Sequence, residues 1–155
     1  MTQRTSSAAW VRGIADMFAA QGLPAAALCA EAGIDLPTLV NEPQTRVDVD
    51  RVSRLWEAAA LRHGQPGLGL SRDLAARYGN VDLVGYALAS GPNLLVGFEH
   101  LQRQMALISD ATCFEMARDP RGQGYWLTIS HIGATRPVPR ERIEFAVLTL
   151  FTLCC

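Results

Sequence analysis

The chain carries almost no surplus charge of either sign: 14 lysines and arginines stand against 15 aspartates and glutamates, a formal net charge of -1, with no block of like charge. Non-specific attraction to a phosphate backbone is therefore not written into this segment. The one local basic cluster, Arg136, Arg140 and Arg142, reads as the coat of a solvated helix start. Cysteines are few, at Cys29, Cys113, Cys154 and Cys155, and none forms the C-x-x-C spacing or the even framework that staples small secreted folds. A reducing cytoplasm is the expected compartment. The opening Met-Thr-Gln-Arg-Thr-Ser-Ser lacks an apolar h-region, so no signal peptide is expected. Long apolar runs are missing as well. Ile143 to Cys155 comes nearest, but it falls short of the roughly 20 residues a membrane span requires.

Motifs of catalysis and cofactor binding are also absent. The only histidines, His63, His100 and His131, have no second ligand at the spacing of a zinc site, and no metal or cofactor is expected. The stretch from Gly79 to Gly85 has neither phosphate-loop spacing and follows no strand, so helix punctuation explains its glycines. Cys113 with His131 is the one sequence-local candidate for a nucleophile and base. Strand alternation turns the two to opposite faces, so enzyme chemistry ranks last.

What is present is material for one core: 155 residues, 49% hydrophobic and 19% charged, suit a single domain spanning 1–155. Ser7 can cap a helix with apolar positions Trp10, Ile14, Met17 and Phe18, ended by Gly22. Pro24 opens an alanine-rich helix that Gly33 stops. A turn region containing Pro37 and Pro43 follows. Asp48 then caps a helix whose stripe is Val49, Val52, Trp56, Ala59 and Ala60, with Gly64 as its end. Shorter helices are predicted from Ser71 to Tyr78, closed by Gly79-Asn80, and from Asp82 to about Ser90. Gly91-Pro92-Asn93 breaks the chain before a longer helix with Leu94, Phe98, Leu101, Met105 and Ile108 on one face.

From Thr112 the period becomes two. Phe114 and Met116 share a face with Leu127, Ile129 and His131 across a turn at residues 119–124, while Cys113, Glu115, Trp126, Thr128 and Ser130 form the other face. Pro137-Val-Pro139 restarts a helix that is apolar on nearly every side beyond Ile143. Such a helix calls for further protein around it, either downstream sequence or a partner subunit. The predicted fold is α+β, mostly helical with about six helices and a β-hairpin or small antiparallel sheet, in a truncated domain.

Arg46-Val47, Arg54-Leu55-Trp56, Gly67-Leu68-Gly69-Leu70, Gly79 and Gly85-Tyr-Ala-Leu-Ala-Ser-Gly-Pro-Asn-Leu94 occur in that order. With Gly22, Gly33-Ile34-Asp35 and Arg140-Glu-Arg-Ile-Glu-Phe145, the series resembles the arabinose-binding-type N-terminal domain of AraC-family transcription regulators, from about Trp10 to the last residue. The sequence departs from relatives at Gln104, where an aromatic often stands beside the arginine. The resemblance implies a bacterial, cytoplasmic sensor of a small-molecule effector, acting as a homodimer. It also implies that promoter DNA is bound only through a separate C-terminal pair of helix-turn-helix units. The family name does not imply a sugar, because its members answer to diverse small molecules.

Two sets of candidate residues follow. Tyr86, which needs a partner for its hydroxyl, His100 and Arg103 on the polar side of the longer helix, and Glu115, Trp126 and Ser130 on the hairpin's mixed face are the effector-binding candidates. The hairpin face also reads as an ordinary solvent face, and that reading is favoured. Ile143, Val147, Leu150, Phe151 and Cys154 are the dimerisation candidates. Trp10 and Trp56 read as core anchors. A dimerisation module without ligand is the alternative to a sensor, and a small hydrolase using Cys113 or His131 comes after it.

Overall fold

The computed structural model describes residues 3–78 and 81–154, and helices dominate it. The first strand, β1 (Thr5–Ser7), leads into α1 (Ala8–Ala20), where the Ser7 side chain accepts a hydrogen bond from the Trp10 amide and satisfies one free donor of the first turn. Ile14, Met17 and Phe18 are buried along α1, as their helical spacing predicts. Two short helices follow, α2 (Ala25–Glu31) and α3 (Leu36–Asn41). The second falls in the region predicted as a turn. Pro37 marks the first turn of a helix there, a position at which its missing N–H is not needed.

Strand β2 (Arg46–Asp48) pairs antiparallel with β1, Ser6 opposite Val47, in a sheet the sequence reading did not anticipate. It feeds α4 (Val49–His63), capped by Asp48, which accepts from the amides of Asp50 and Arg51 at 2.8 and 3.2 Å. Gly64 closes α4 in the left-handed conformation, with φ of 69°. Next come α5 (Arg72–Tyr78), α6 (Val81–Ala89) and α7 (Leu94–Ile108), the last capped by Asn93 through the Val96 amide at 3.0 Å. The predicted stop at Gly79-Asn80 lies outside the described residues, and α6 already includes Val81, so Asp82 stands within its first turn and not at the capping position predicted for it.

The hairpin of β3 (Thr112–Arg118) and β4 (Tyr125–His131) adopts the predicted unbulged register: Phe114 faces Ile129, Met116 faces Leu127, and Cys113 faces Ser130. Helix α8 (Arg140–Cys154) ends the described chain. The fold class is thus α+β, with eight helices and two two-stranded antiparallel sheets among the described residues.

Buried apolar side chains form two clusters. One gathers α1 to α4, with Leu68 and Ala75; the other gathers α6, α7 and the inner face of the hairpin. Helix α8 belongs to both, giving Phe145 to the first and Leu150 to the second, and Trp10 packs against both. The seam between the clusters therefore runs along α8.

Two glycines have packing roles. A Cβ on Gly69 would clash with the Glu141 carbonyl oxygen and lie 3.1 Å from the Phe145 amide nitrogen, so the first turns of α8 rest on this bare backbone. At the α6–α7 corner a Cβ on Gly97 would run into the Leu88 carbonyl, where backbone meets backbone and no side chain can yield. Gly97→Ala is expected to lower stability by about 1–3 kcal/mol. In a chain of this size that amounts to a fall in Tm of very roughly 2–12 °C, readable by thermal unfolding. An unchanged Tm would mean that α6 and α7 separate at no expense.

Candidate functional site

Where the two clusters meet, the structure leaves an internal cavity of about 40 Å³. Its wall comes from α1 (Trp10, Ile14), α4 (Trp56), α6 (Val84), α7 and the turn after it (Met105, Ile108, Ser109), the hairpin (Thr112, Phe114, His131) and α8 (Arg142, Phe145, Ala146, Thr149, Leu150). Apolar and aromatic surface predominates, with a few polar groups among it, the usual make-up of a small-molecule site. The volume holds no more than a few waters, so a larger occupant requires one wall to move.

Two of the polar groups are orphans. Trp56 is 0% exposed and its Nε1–H has no hydrogen-bond partner; Thr149 is 3% exposed and its hydroxyl has none either. A buried polar atom left unpaired costs about 1–3 kcal/mol. Both residues belong to the cavity lining, but neither atom has accessible surface in this packing, so an occupant reaches them only once a wall has moved. Ser109 is better provided, since its hydroxyl oxygen accepts from Ser6 Oγ, Thr112 Oγ1 and the Ala111 amide.

Arg142 is the one cation among the described residues of the wall. Its side chain is buried, and Nη1 donates to the Val49 carbonyl at 3.2 Å and to Ser53 Oγ at 2.9 Å. Both bonds use the same nitrogen, which leaves Nε and Nη2 without a protein partner among the described residues. Burial pushes the guanidinium down to about 10, against the pull of Asp50, so it remains charged at neutral pH. Among the described residues no aspartate or glutamate lines the cavity.

Opposite lies His131, paired with Thr112 across the hairpin. Burial, and then the charge on Arg142, hold its ring at about 4, so it is neutral at pH 7. The unfolded chain takes up that proton near pH 6.5, so the stabilising contribution is complete above 6.5 and is lost as the pH falls toward 4. After discounting for solvent screening of a partly exposed ring, about 1–2 kcal/mol is expected over that window. Urea unfolding across the range checks this: His131→Gln flattens the slope, and an unchanged slope removes His131 as the cause.

The approach to α8 is tied to α4. The Thr135 amide donates to Asp50 at 3.1 Å, and the Thr135 hydroxyl bond is the first reason the Asp50 carboxyl lies below the usual range. Arg136 pairs with Glu57 at 2.6 Å. With Arg142 on Val49 and Ser53, these contacts fasten the start of α8, whereas Thr149 and Leu150 lie toward its far end.

The sequence-based candidates stand elsewhere. Tyr86 is 73% exposed on α6; His100 Nδ1 lies 2.8 Å from Ser90 Oγ; Arg103 is exposed, with Nε donating to the Glu99 carbonyl of its own helix. Glu115, Trp126 and Ser130 share the outer face of the hairpin, where Trp126 is 65% exposed. None of the six lines the cavity. On α8, Ile143, Val147 and Phe151 form an exposed stripe, Cys154 is exposed, and Leu150 turns inward to the second cluster.

Arg142 corrects the reading of the basic cluster as a solvated coat, because it is an interior residue. The signal was its spacing: Arg142, Phe145 and Thr149 stand at i, i+3 and i+7, on the stripe that faces inward. Trp56 was identified as a core anchor, but nothing in the sequence shows its indole nitrogen to be unpaired.

Other chemistry finds little support. The register sets Cys113 and His131 on opposite faces, and burial raises the Cys29 thiol to about 11, which keeps it protonated. Among the described residues no group of three potential metal ligands gathers, and no helix is long and apolar enough to cross a membrane. No curated protein matches the chain. The sequence model of the arabinose-binding domain of AraC transcription regulators, N-terminal, matches residues 22–155, the span that builds every wall of the cavity except α1, and the chain belongs to that family.

Proposed function

We propose that this domain is the sensor of an AraC-type regulator: it binds a small-molecule effector in the seam cavity and passes the event on through α8. The observation that carries the reading is a mostly apolar cavity whose lining includes the buried cation Arg142 and two residues, Trp56 and Thr149, with buried polar atoms that lack partners. Family membership, which points to a regulatory ligand-binding domain and away from an enzyme, agrees with it. Because the cavity is small, binding requires the far half of α8 or the hairpin to move outward. A ligand drives such a change only by binding the widened state better.

Helix α8 then couples two surfaces. Its inner side lines the cavity, while Ile143, Val147 and Phe151 present an apolar stripe outward. That stripe is the surface proposed for homodimer formation, with promoter DNA left to a C-terminal helix-turn-helix domain. The near-neutral charge of this segment fits that division of labour. A metabolite library screened by thermal shift, with light scattering on each hit, tests both steps. Stabilisation together with a change in association supports the sensor; association through α8 with no stabilising compound favours a dimerisation module without ligand.

A further inference from the structure

Resting on that reading, we infer that the effector is a compact monocarboxylic acid with an apolar body, its carboxylate taken by Arg142 with the Trp56 indole N–H and the Thr149 hydroxyl, and its body packed among Met105, Ile108 and Phe114. The charge balance of the cavity supports the acid. Among the described residues its wall holds one guanidinium and no carboxylate; Asp50 acts on Arg142 from outside the wall, while the hydrogen bonds of Arg142 go to a carbonyl and a hydroxyl. A buried cation of this kind is complemented by one negative charge, and a guanidinium with free N–H groups matches the two oxygens of a carboxylate.

The neighbouring polar groups agree. Trp56 Nε1 is a donor only, and the Thr149 hydroxyl can donate, so both suit an acceptor such as a carboxylate oxygen. A phosphate monoester brings close to two charges at neutral pH and would leave one uncompensated. A free sugar offers many hydroxyls that each need a partner, and this wall is mostly apolar and, among the described residues, lacks carboxylates and side-chain amides. The ligand class is therefore set by the cavity and differs from the sugar in the family's description.

The test uses the purified chain with matched probes: benzoate and hexanoate, their primary amides, and L-arabinose. Binding is followed by calorimetry and by the indole N–H resonances of Trp10, Trp56 and Trp126, assigned with Trp56→Phe. The acids are expected to bind at least tenfold more tightly than the amides and to move the Trp56 resonance while leaving Trp126 in place. Arg142→Gln should abolish the acid preference, and Arg142→Lys should keep part of it. If Arg142→Gln does not fold, Thr149→Val should still weaken the acids by severalfold. Amides or arabinose binding as well as the acids, with the Trp56 resonance shifted, would overturn the acid assignment and leave the sensor reading standing. No probe moving Trp56, and no stabilising compound in the metabolite screen, would overturn both.

Discussion

Trp56→Ala is expected to destabilise the domain by about 3–5 kcal/mol, a large share of the 5–15 kcal/mol that holds a typical domain folded. Trp56 is fully buried and stands between two other rings: Phe18 meets it edge-on at 4.9 Å and Phe145 lies tilted at 5.5 Å. Truncation forfeits the burial of a large aromatic surface, both ring contacts, and the packing around them. The vacated space joins the cavity already present, and a wall built from six separate elements can close it only in part. Urea unfolding measures the loss. Added indole should restore some of it, in the variant and not in the parent, because a ligand that binds only the folded state stabilises by mass action. Trp126→Ala is the control: with that side chain 65% exposed, a change within about 0.5 kcal/mol is expected. A loss of similar size at both positions would contradict the assigned core.

Phe145→Ala carries the next largest effect, again about 3–5 kcal/mol. Phe145 is 1% exposed and touches Trp10 and Trp56, each at 5.5 Å between ring centres. It lies on α8, one helical turn from Arg142 and directly over the backbone at Gly69. Removing it loosens the helix that gives buried residues to both clusters. Because Phe145 and Trp56 are in contact, their losses should not add. The double variant is expected to depart from the sum by about 0.5–3 kcal/mol, and strict additivity would mean that the rings do not share packing energy.

Most helices of this fold can be seen in the sequence because their ends are chemical. Ser7, Asp48 and Asn93 each supply an oxygen to a free amide of the first turn, and Gly64 supplies the left-handed residue that closes α4. The hairpin is legible for a similar reason: the apolar alternation of Phe114 and Met116 with Leu127 and Ile129 has one register that turns all four toward the core. Strands β1 and β2 have three residues each and pair across some forty positions, too short for alternation to register and too distant for local chemistry to link them. Helix α3 was hidden by Pro37, a residue shared by turns and first helical turns.

The cavity was harder to foresee than the fold. The effector candidates Glu115, Trp126 and Ser130 share one face of the hairpin, as alternation required, but the cavity lies behind the other. Which face meets empty space depends on how α8 packs, and α8 has apolar residues on both sides. The charge on Arg142 pointed toward solvent while its helical position pointed inward, and position prevailed because Val49 and Ser53 meet its guanidinium.

The family match begins at residue 22, yet β1 and α1 lie before it. Thr5 receives hydrogen bonds from Arg46, whose guanidinium also reaches the carbonyls of Ala106 and Leu107, and the Thr5 amide donates to Asp110. The opening residues thus clasp the β2 strand to the end of α7, and so tie one cluster to the other. A polypeptide trimmed to the matched span would lose that clasp together with Trp10 and Ile14, leaving the chamber without its floor and its two halves without their shared fastening.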